Sequence, residues 1–248
     1  MKYNLSFSGR SAVIFSFRFF WSRHPYLLYQ TYSRLRYPNT SITSNTDLLI
    51  EGFGRSGSSF TSDSFKIVNS NKINIAWNQK SPSAIYEAAK WRIPTLVLIR
   101  DPKSVVLSYI NMNQQLPIKL LLKEYTKYYE NIWKYKDYYV VSTNEEIWKN
   151  FNIIVKRINN KFKTELKYAA SERELRKEVK NYQDRDYNKK YSKTWDETVK
   201  RTVNYPTEFK KLKKAEIELI YNQYQDDEIK NVAFKWYEKY KELLNLKN

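Results

Sequence analysis

The residues best placed to do chemistry are clustered in one short stretch, EGFGRSGSSF (Glu51–Phe60), which holds three of the four glycines in the chain. Gly52 and Gly57 have the G-x-x-x-x-G spacing of a phosphate-binding loop. Backbone N–H groups in such a turn converge on an anion, and a helix that starts there adds partial positive charge. Gly57 lets backbone approach the ligand closely, and Ser58 and Ser59 offer hydroxyl donors. The lysine of a nucleoside-triphosphate loop is missing. Ser58 stands in its place, and Arg55 is the only cation within the loop. A second stretch, IRDPKSVVLSY (Ile99–Tyr109), ends an apolar run with Arg100, whose charge is costly at a buried strand end unless an anion meets it. Ser108 follows in the next helix with Ser104 one turn before it on the same face. Arg100 and Ser108 are thus placed to clasp a second anionic group. Taken singly, the first stretch also describes a Gly/Ser turn, and Arg100 also suits an ion pair.

Four apolar runs predict the strands that must carry these loops: DLLIEGF (Asp47–Phe53), INIAW (Ile73–Trp77), TLVLIR (Thr95–Arg100) and YYVVST (Tyr138–Thr143). Helical patterns lie between them. Ser83–Trp91 forms a short one. Pro102–Asn111 forms another, with Asp101 as its cap and Pro102 at its first position. Leu116–Tyr135 is long and rich in aromatics. Ile147, Phe151, Ile154, Val155, Ile158 and Phe162 form a single apolar helical stripe, and Thr143 with Glu146 has the pattern of a capping box. The alternation predicts a three-layer α/β domain with a mainly parallel central sheet and a helical C-terminal part. One domain is expected, with residues 1–46 as an N-terminal extension, 47–165 as the α/β core and 166–248 as the helical remainder. The tail from Ser171 is charged and helical, broken at NYPTEF near Pro206, and Tyr187–Lys193 (YNKKYSK) is expected to be a mobile loop.

Composition narrows the chemistry. With 248 residues, 42% hydrophobic and 17% aromatic, the chain can build a sizeable core. It has no cysteine and a single histidine, His24, so disulfide scaffolds, thiolate metal sites and histidine zinc sites are excluded. The lack of cysteine fits a reducing, cytoplasmic setting. A formal net charge of +18 favours anionic partners. The segment Ser11–Trp21 (SAVIFSFRFFW) is too short to span a bilayer, and Arg18 interrupts it. It reads as a packed segment, with peripheral membrane contact as the alternative.

In their order along the chain, these features resemble the PAPS-dependent sulfotransferases (PAPS is 3′-phosphoadenosine 5′-phosphosulfate). The family's first motif, a strand, a G-x-x-R-S-G-T-T type loop and a helix, reads here Gly52-Phe53-Gly54-Arg55-Ser56-Gly57-Ser58-Ser59. The second, Arg-[Asp/Asn]-Pro with a later serine, reads Arg100-Asp101-Pro102 and then Ser108. The segments QKSPSAIYEA, IPTLVLIRDP and YYVVSTNEEIWKNFNIIVKRIN are similar to bacterial members, so the likeness covers about Asp47–Phe162. The resemblance implies a P-loop-like fold. It implies that Gly54, Arg55, Ser56, Gly57, Ser58 and Ser59 hold the 5′-phosphosulfate and that Arg100 and Ser108 hold the 3′-phosphate. The implied reaction moves a sulfuryl group from PAPS to a hydroxyl or amine, with adenosine 3′,5′-bisphosphate as product and no metal. A donor without a γ-phosphate makes the loop lysine unnecessary, and Arg55 can brace the phosphosulfate. The basic balance suits an acidic or sulfated glycan as acceptor, and no specific nucleic acid is expected.

The chain departs from the family at the catalytic base. Many members carry a histidine after the second strand, where this sequence has Trp77-Asn78-Gln79. Lys80 matches the lysine of a Lys-[Ser/Thr]-Pro segment found in some carbohydrate members. Asp63 is the one carboxylate in the helix after the loop, and His24 precedes the loop. The Gly-rich C-terminal motif is absent, since no glycine follows Gly57. The basic segment around Lys189 and Lys190 is a candidate to close over the 3′-phosphate instead. Three other readings stand beside transfer: a P-loop kinase or NTPase with Asp101 on a metal, a donor-binding pseudoenzyme, and a basic polyanion-binding protein.

Overall fold

A computed structural model describes residues 40–112, 116–191 and 208–245, without the side chains of 187–191, 208–214 and 245. Four short parallel strands form one sheet: β1 (Leu48–Gly52), β2 (Ile75–Trp77), β3 (Thr95–Ile99) and β4 (Val140–Thr143), in the order β2-β1-β3-β4. Each strand lies inside a run anticipated from apolar content. Side chains alternate across the sheet as the strand period requires. Leu49, Val97, Ile99 and Val141 face one core, whereas Leu48, Ile50, Leu96, Leu98 and Val140 face the other.

Helices cover both faces. On the first lie α2 (Pro82–Lys90), α3 (Pro102–Met112), α4 (Ile118–Trp133), α8 (Glu208–Gln223) and α9 (Asp227–Asn245). On the second lie α1 (Ser58–Val68), α5 (Asn144–Lys149), α6 (Phe151–Phe162) and α7 (Glu172–Tyr191). The chain is therefore an α/β protein with a small parallel sheet between helical layers. The charged tail belongs to both layers. Leu175 and Val179 of α7 enter the second core, and Ile217, Tyr221, Ala233 and Tyr240 of α8 and α9 enter the first.

Local chemistry explains the helix starts. Ser81 caps α2 by accepting from the Ser83 N–H, and Pro82 occupies the first turn. Asp101 Oδ2 accepts from the Ser104 N–H at 2.7 Å, capping α3 as expected. Thr143 caps α5 by accepting from the Glu146 N–H at 3.1 Å. The reciprocal half of that capping box is replaced, because the Glu146 carboxylate binds Arg157 and accepts from Ser142 Oγ.

Two expectations need correction. The stripe from Ile147 to Phe162 is not one helix, because Asn150 (φ −140°, ψ 48°) leaves helical geometry between α5 and α6. Tyr187–Tyr191, expected in a mobile loop, continue α7. Lys189 and Lys190 therefore lie on a helix, while Ser192 and Lys193 are outside the described residues, as are the break near Pro206, the Ser11–Trp21 segment and His24. Among the described residues, no helix is long and apolar enough to cross a membrane.

Candidate functional site

The strand order changes direction at β1, since β2 lies on one side of it and β3 on the other. In an open parallel sheet, such a switch leaves a crevice at the carboxyl ends of the strands. The loops after β1 and β3 meet there. Arg100 Nη1 donates to the Arg55 carbonyl oxygen at 2.9 Å, and Arg55 Nε donates to Ser108 Oγ at 2.9 Å. The two stretches singled out in the sequence thus form one cluster across 45 and 53 residues of chain. Arg55 and Arg100 are close enough to disfavour each other's charge. The Arg100 pKa is lowered chiefly by burial and then by Arg55. Two like charges held this close make a site that favours an anion.

The loop is fixed from below. Gly52 pairs with Leu98, and a Cβ at Gly52 would lie 2.4 Å from the Leu98 carbonyl oxygen, so only glycine allows β1 and β3 to approach this way. The Ser56 hydroxyl donates to the Phe53 carbonyl at 2.6 Å, turning that hydroxyl inward. Asn144 Nδ2 donates to the Ser56 carbonyl at 3.3 Å, bracing the loop from the start of α5. Gly57 has φ 100° and precedes α1 without any side-chain cap. The first-turn N–H groups of α1, on Ser58 and Ser59 among others, have no partner within the helix, as at any helix start, and so suit an anion. Arg55 itself has φ 71°, an uncommon conformation for a side-chain-bearing residue and one that concentrates at binding sites.

The α4 tyrosines support the same edge from the first face. Tyr125 donates to the Arg100 carbonyl at 2.9 Å and Tyr129 to the Leu98 carbonyl at 2.8 Å. Phe53 packs edge-on against Tyr109, Tyr125 and Tyr128. This buried aromatic bed leaves the backbone of both loops little room to shift.

Lys80 joins the cluster and Asp63 does not. A Cβ at Gly54 would lie 1.8 Å from the Tyr109 hydroxyl oxygen and 3.4 Å from Lys80 Cδ. The Lys80 stem therefore lies against the Gly54 turn. Asp63 stood in the sequence as the candidate carboxylate for the base in the helix after the loop. It is instead buried between α1 and α7, and its Oδ2 accepts from Gln183 Nε2 at 2.8 Å.

Sequence reasoning missed Glu51. It sits on β1 with 1% exposure, and its carboxyl group faces the backbone N–H groups of Gly52, Gln79, Lys80 and Ser81. Tyr128 Oη approaches it at 3.5 Å. Burial pushes its pKa up to about 7 although those N–H groups pull it down. The one signal in the sequence is a charged residue within the apolar run LLIEG. Asn144 was missed as well, and only its place after a strand marked it.

Among the described residues, no group of three or more His, Cys, Asp or Glu is arranged to hold a metal ion. Asp101, the alternative metal ligand, spends its carboxylate on the α3 cap. No protein-family model and no curated protein matches the chain.

Proposed function

We propose that the protein is a sulfotransferase that binds PAPS at the carboxyl edge of β1 and β3 and moves its sulfuryl group to a hydroxyl or amine, with an acidic glycan as the favoured acceptor class. The observation that carries this reading is the joining of the two stretches through Arg55, Ser108 and Arg100. A nucleotide phosphorylated only at its 5′ position needs one anion site, whereas Arg55 and Arg100 offer two cations on separate loops beside a helix start without a side-chain cap. The donor fits that arrangement, since it carries anionic groups at both its 5′ and 3′ positions.

In this reading the loop from Gly54 to Ser59 holds the phosphosulfate, through backbone N–H groups and the Ser58 and Ser59 hydroxyls. Arg100 and Ser108 take the 3′-phosphate, and Arg55 lies between the two groups. The donor supplies the sulfuryl group. Its bond to the bridging oxygen breaks as the acceptor oxygen or nitrogen bonds to sulfur, and the acceptor's proton leaves. By analogy with phosphoryl transfer, the transition state is loose, so positioning and charge stabilisation carry the catalysis. Lys80, against the Gly54 turn, stabilises charge on the transferred group and the leaving oxygen. The Asp63 carboxylate is already engaged by Gln183, which argues against it as the base.

A thermal-shift series with adenosine 3′,5′-bisphosphate, ATP and AMP, each with and without Mg²⁺, tests the reading. The expected result is a metal-independent shift that is largest for the bisphosphate. A larger shift with Mg²⁺–ATP would favour a kinase or NTPase instead.

A further inference from the structure

Two consecutive residues of α3 meet two consecutive residues of the loop after β1. Ser108 takes the Arg55 guanidinium, and Tyr109 takes Gly54. The Tyr109 hydroxyl oxygen stands 1.8 Å from where a Cβ at Gly54 would be, and its ring carbon Cζ 2.8 Å from the same point. The hydroxyl thus fills the place of a side chain at residue 54, and only glycine leaves room for it. The Lys80 stem also reaches that point, with Cδ at 3.4 Å. The hydroxyl oxygen and Lys80 Cδ are therefore no more than about 5 Å apart, and the ammonium lies two bonds beyond Cδ. The phenol is the rigid member of this group. Tyr109 is 3% exposed, and its ring packs edge-on against Phe53 at 5.8 Å. Two torsions set a tyrosine hydroxyl, whereas lysine carries its charge on a flexible four-carbon stem. A phenol has one O–H to donate and lone pairs to accept with, so one hydroxyl can take a bond from the Lys80 ammonium and give one to an anion.

We propose that Tyr109 is a third donor at the reacting end of the site, its hydroxyl hydrogen-bonding an oxygen of the transferring sulfuryl group beside Arg55 and Lys80. This rests on the sulfotransferase reading, in which the loop from Gly54 to Ser59 holds the phosphosulfate. A neutral donor suits the position. The sulfuryl oxygens carry negative charge while the bond from sulfur to the bridging oxygen breaks and the bond to the acceptor forms. A third cation set between Arg55 and Lys80 would be repelled by both, whereas a phenol adds a hydrogen bond without adding charge. A donor already held in place by packing costs no reorganisation when charge develops beside it. Tyr109 keeps its own proton throughout, and the acceptor's proton does not pass through it.

Tyr109→Phe keeps the ring and removes the donor. Titration calorimetry without acceptor compares PAPS with adenosine 3′,5′-bisphosphate, which lacks the sulfuryl group, on the wild type and the variant. Tyr109→Phe should weaken PAPS about tenfold and leave the bisphosphate within about twofold. An equal loss for both ligands would make Tyr109 a strut of the loop and overturn the proposal, as would no loss for either. If Tyr109→Phe does not fold, Gly54→Ala, which displaces the hydroxyl, takes its place in the comparison with the same expectation. A wild type that binds neither nucleotide would overturn the sulfotransferase reading, and the proposal with it. Urea denaturation tests the placement of the hydroxyl apart from any ligand. Gly54→Ala should lower the midpoint more in the wild type than in Tyr109→Phe, where the new Cβ meets a ring carbon at 2.8 Å in place of the hydroxyl at 1.8 Å. Equal losses in the two backgrounds would show that the hydroxyl does not lie at Gly54, and would overturn the proposal while leaving the donor reading standing.

Discussion

Replacing Gly57 by alanine perturbs the candidate loop in two separable ways. The backbone there is left-handed, with φ 100°, which costs an alanine about 1–2 kcal/mol. The new Cβ would also lie 2.6 Å from Asn144 Nδ2. That atom is the end of a side chain and can swing away, but only by giving up its bond to the Ser56 carbonyl. A neutral hydrogen bond of this kind contributes about 1 kcal/mol. Gly57→Ala should therefore destabilise the fold by about 2–3 kcal/mol, and Asn144→Ala by about 1 kcal/mol. In the double variant the Asn144 bond is lost only once, so the total should stay near 2–3 kcal/mol, giving a coupling of about 1 kcal/mol. Urea denaturation of the four proteins, with a common m-value, measures this directly. Strict additivity, or a Gly57→Ala effect below about 0.5 kcal/mol, would show that Asn144 does not brace the loop.

Gly52→Ala should cost about 1–3 kcal/mol or more in chemical denaturation, because its Cβ meets the backbone oxygen of Leu98 and no side chain can yield; an effect within experimental error would refute the close approach of β1 and β3. Glu51 makes stability depend on pH. Its folded pKa of about 7 lies above the unfolded 4.5, so the native state binds the extra proton and stability falls as pH rises between those values, by about 3 kcal/mol in total. That fall should vanish in Glu51→Gln, and an unchanged fall would assign it to another group. Lys80→Ala should lose sulfuryl transfer while keeping adenosine 3′,5′-bisphosphate binding, whereas Asp63→Asn should keep both, since its amide oxygen still accepts from Gln183; full turnover in Lys80→Ala would remove Lys80 from the chemistry.

The sheet and the candidate loop were legible because their signals are local. Apolar runs marked the strands, Pro102 and Asp101 marked the start of α3, and the glycines marked the loop after β1. Glu51 was not legible because most of its partners are backbone N–H groups reached through the fold, at Gln79, Lys80 and Ser81, with Gln79 28 residues away. A sequence shows side chains and conceals the direction of N–H groups. The division at Asn150 was hidden for a similar reason. The apolar stripe runs unbroken through it, and the turn is set by the docking of α5 and α6 on the sheet. The tail was readable as helical. Its contribution to both cores was not, because Leu175, Val179, Ile217, Tyr221, Ala233 and Tyr240 are spread among long charged stretches.

The central claim is that Arg55, Ser108 and Arg100 form a site for a nucleotide with anions at both ends. Titration calorimetry in metal-free buffer at fixed salt, comparing adenosine 3′,5′-bisphosphate with AMP on the wild type and on Arg100→Ala, tests it most directly. Charge-assisted hydrogen bonds to the 3′-phosphate contribute roughly 1.5–3 kcal/mol. The wild type should then prefer the bisphosphate by about tenfold to a hundredfold, and Arg100→Ala should bind the two nucleotides with similar affinity. Equal binding of both nucleotides by the wild type, or a preference that survives in Arg100→Ala, would contradict the account.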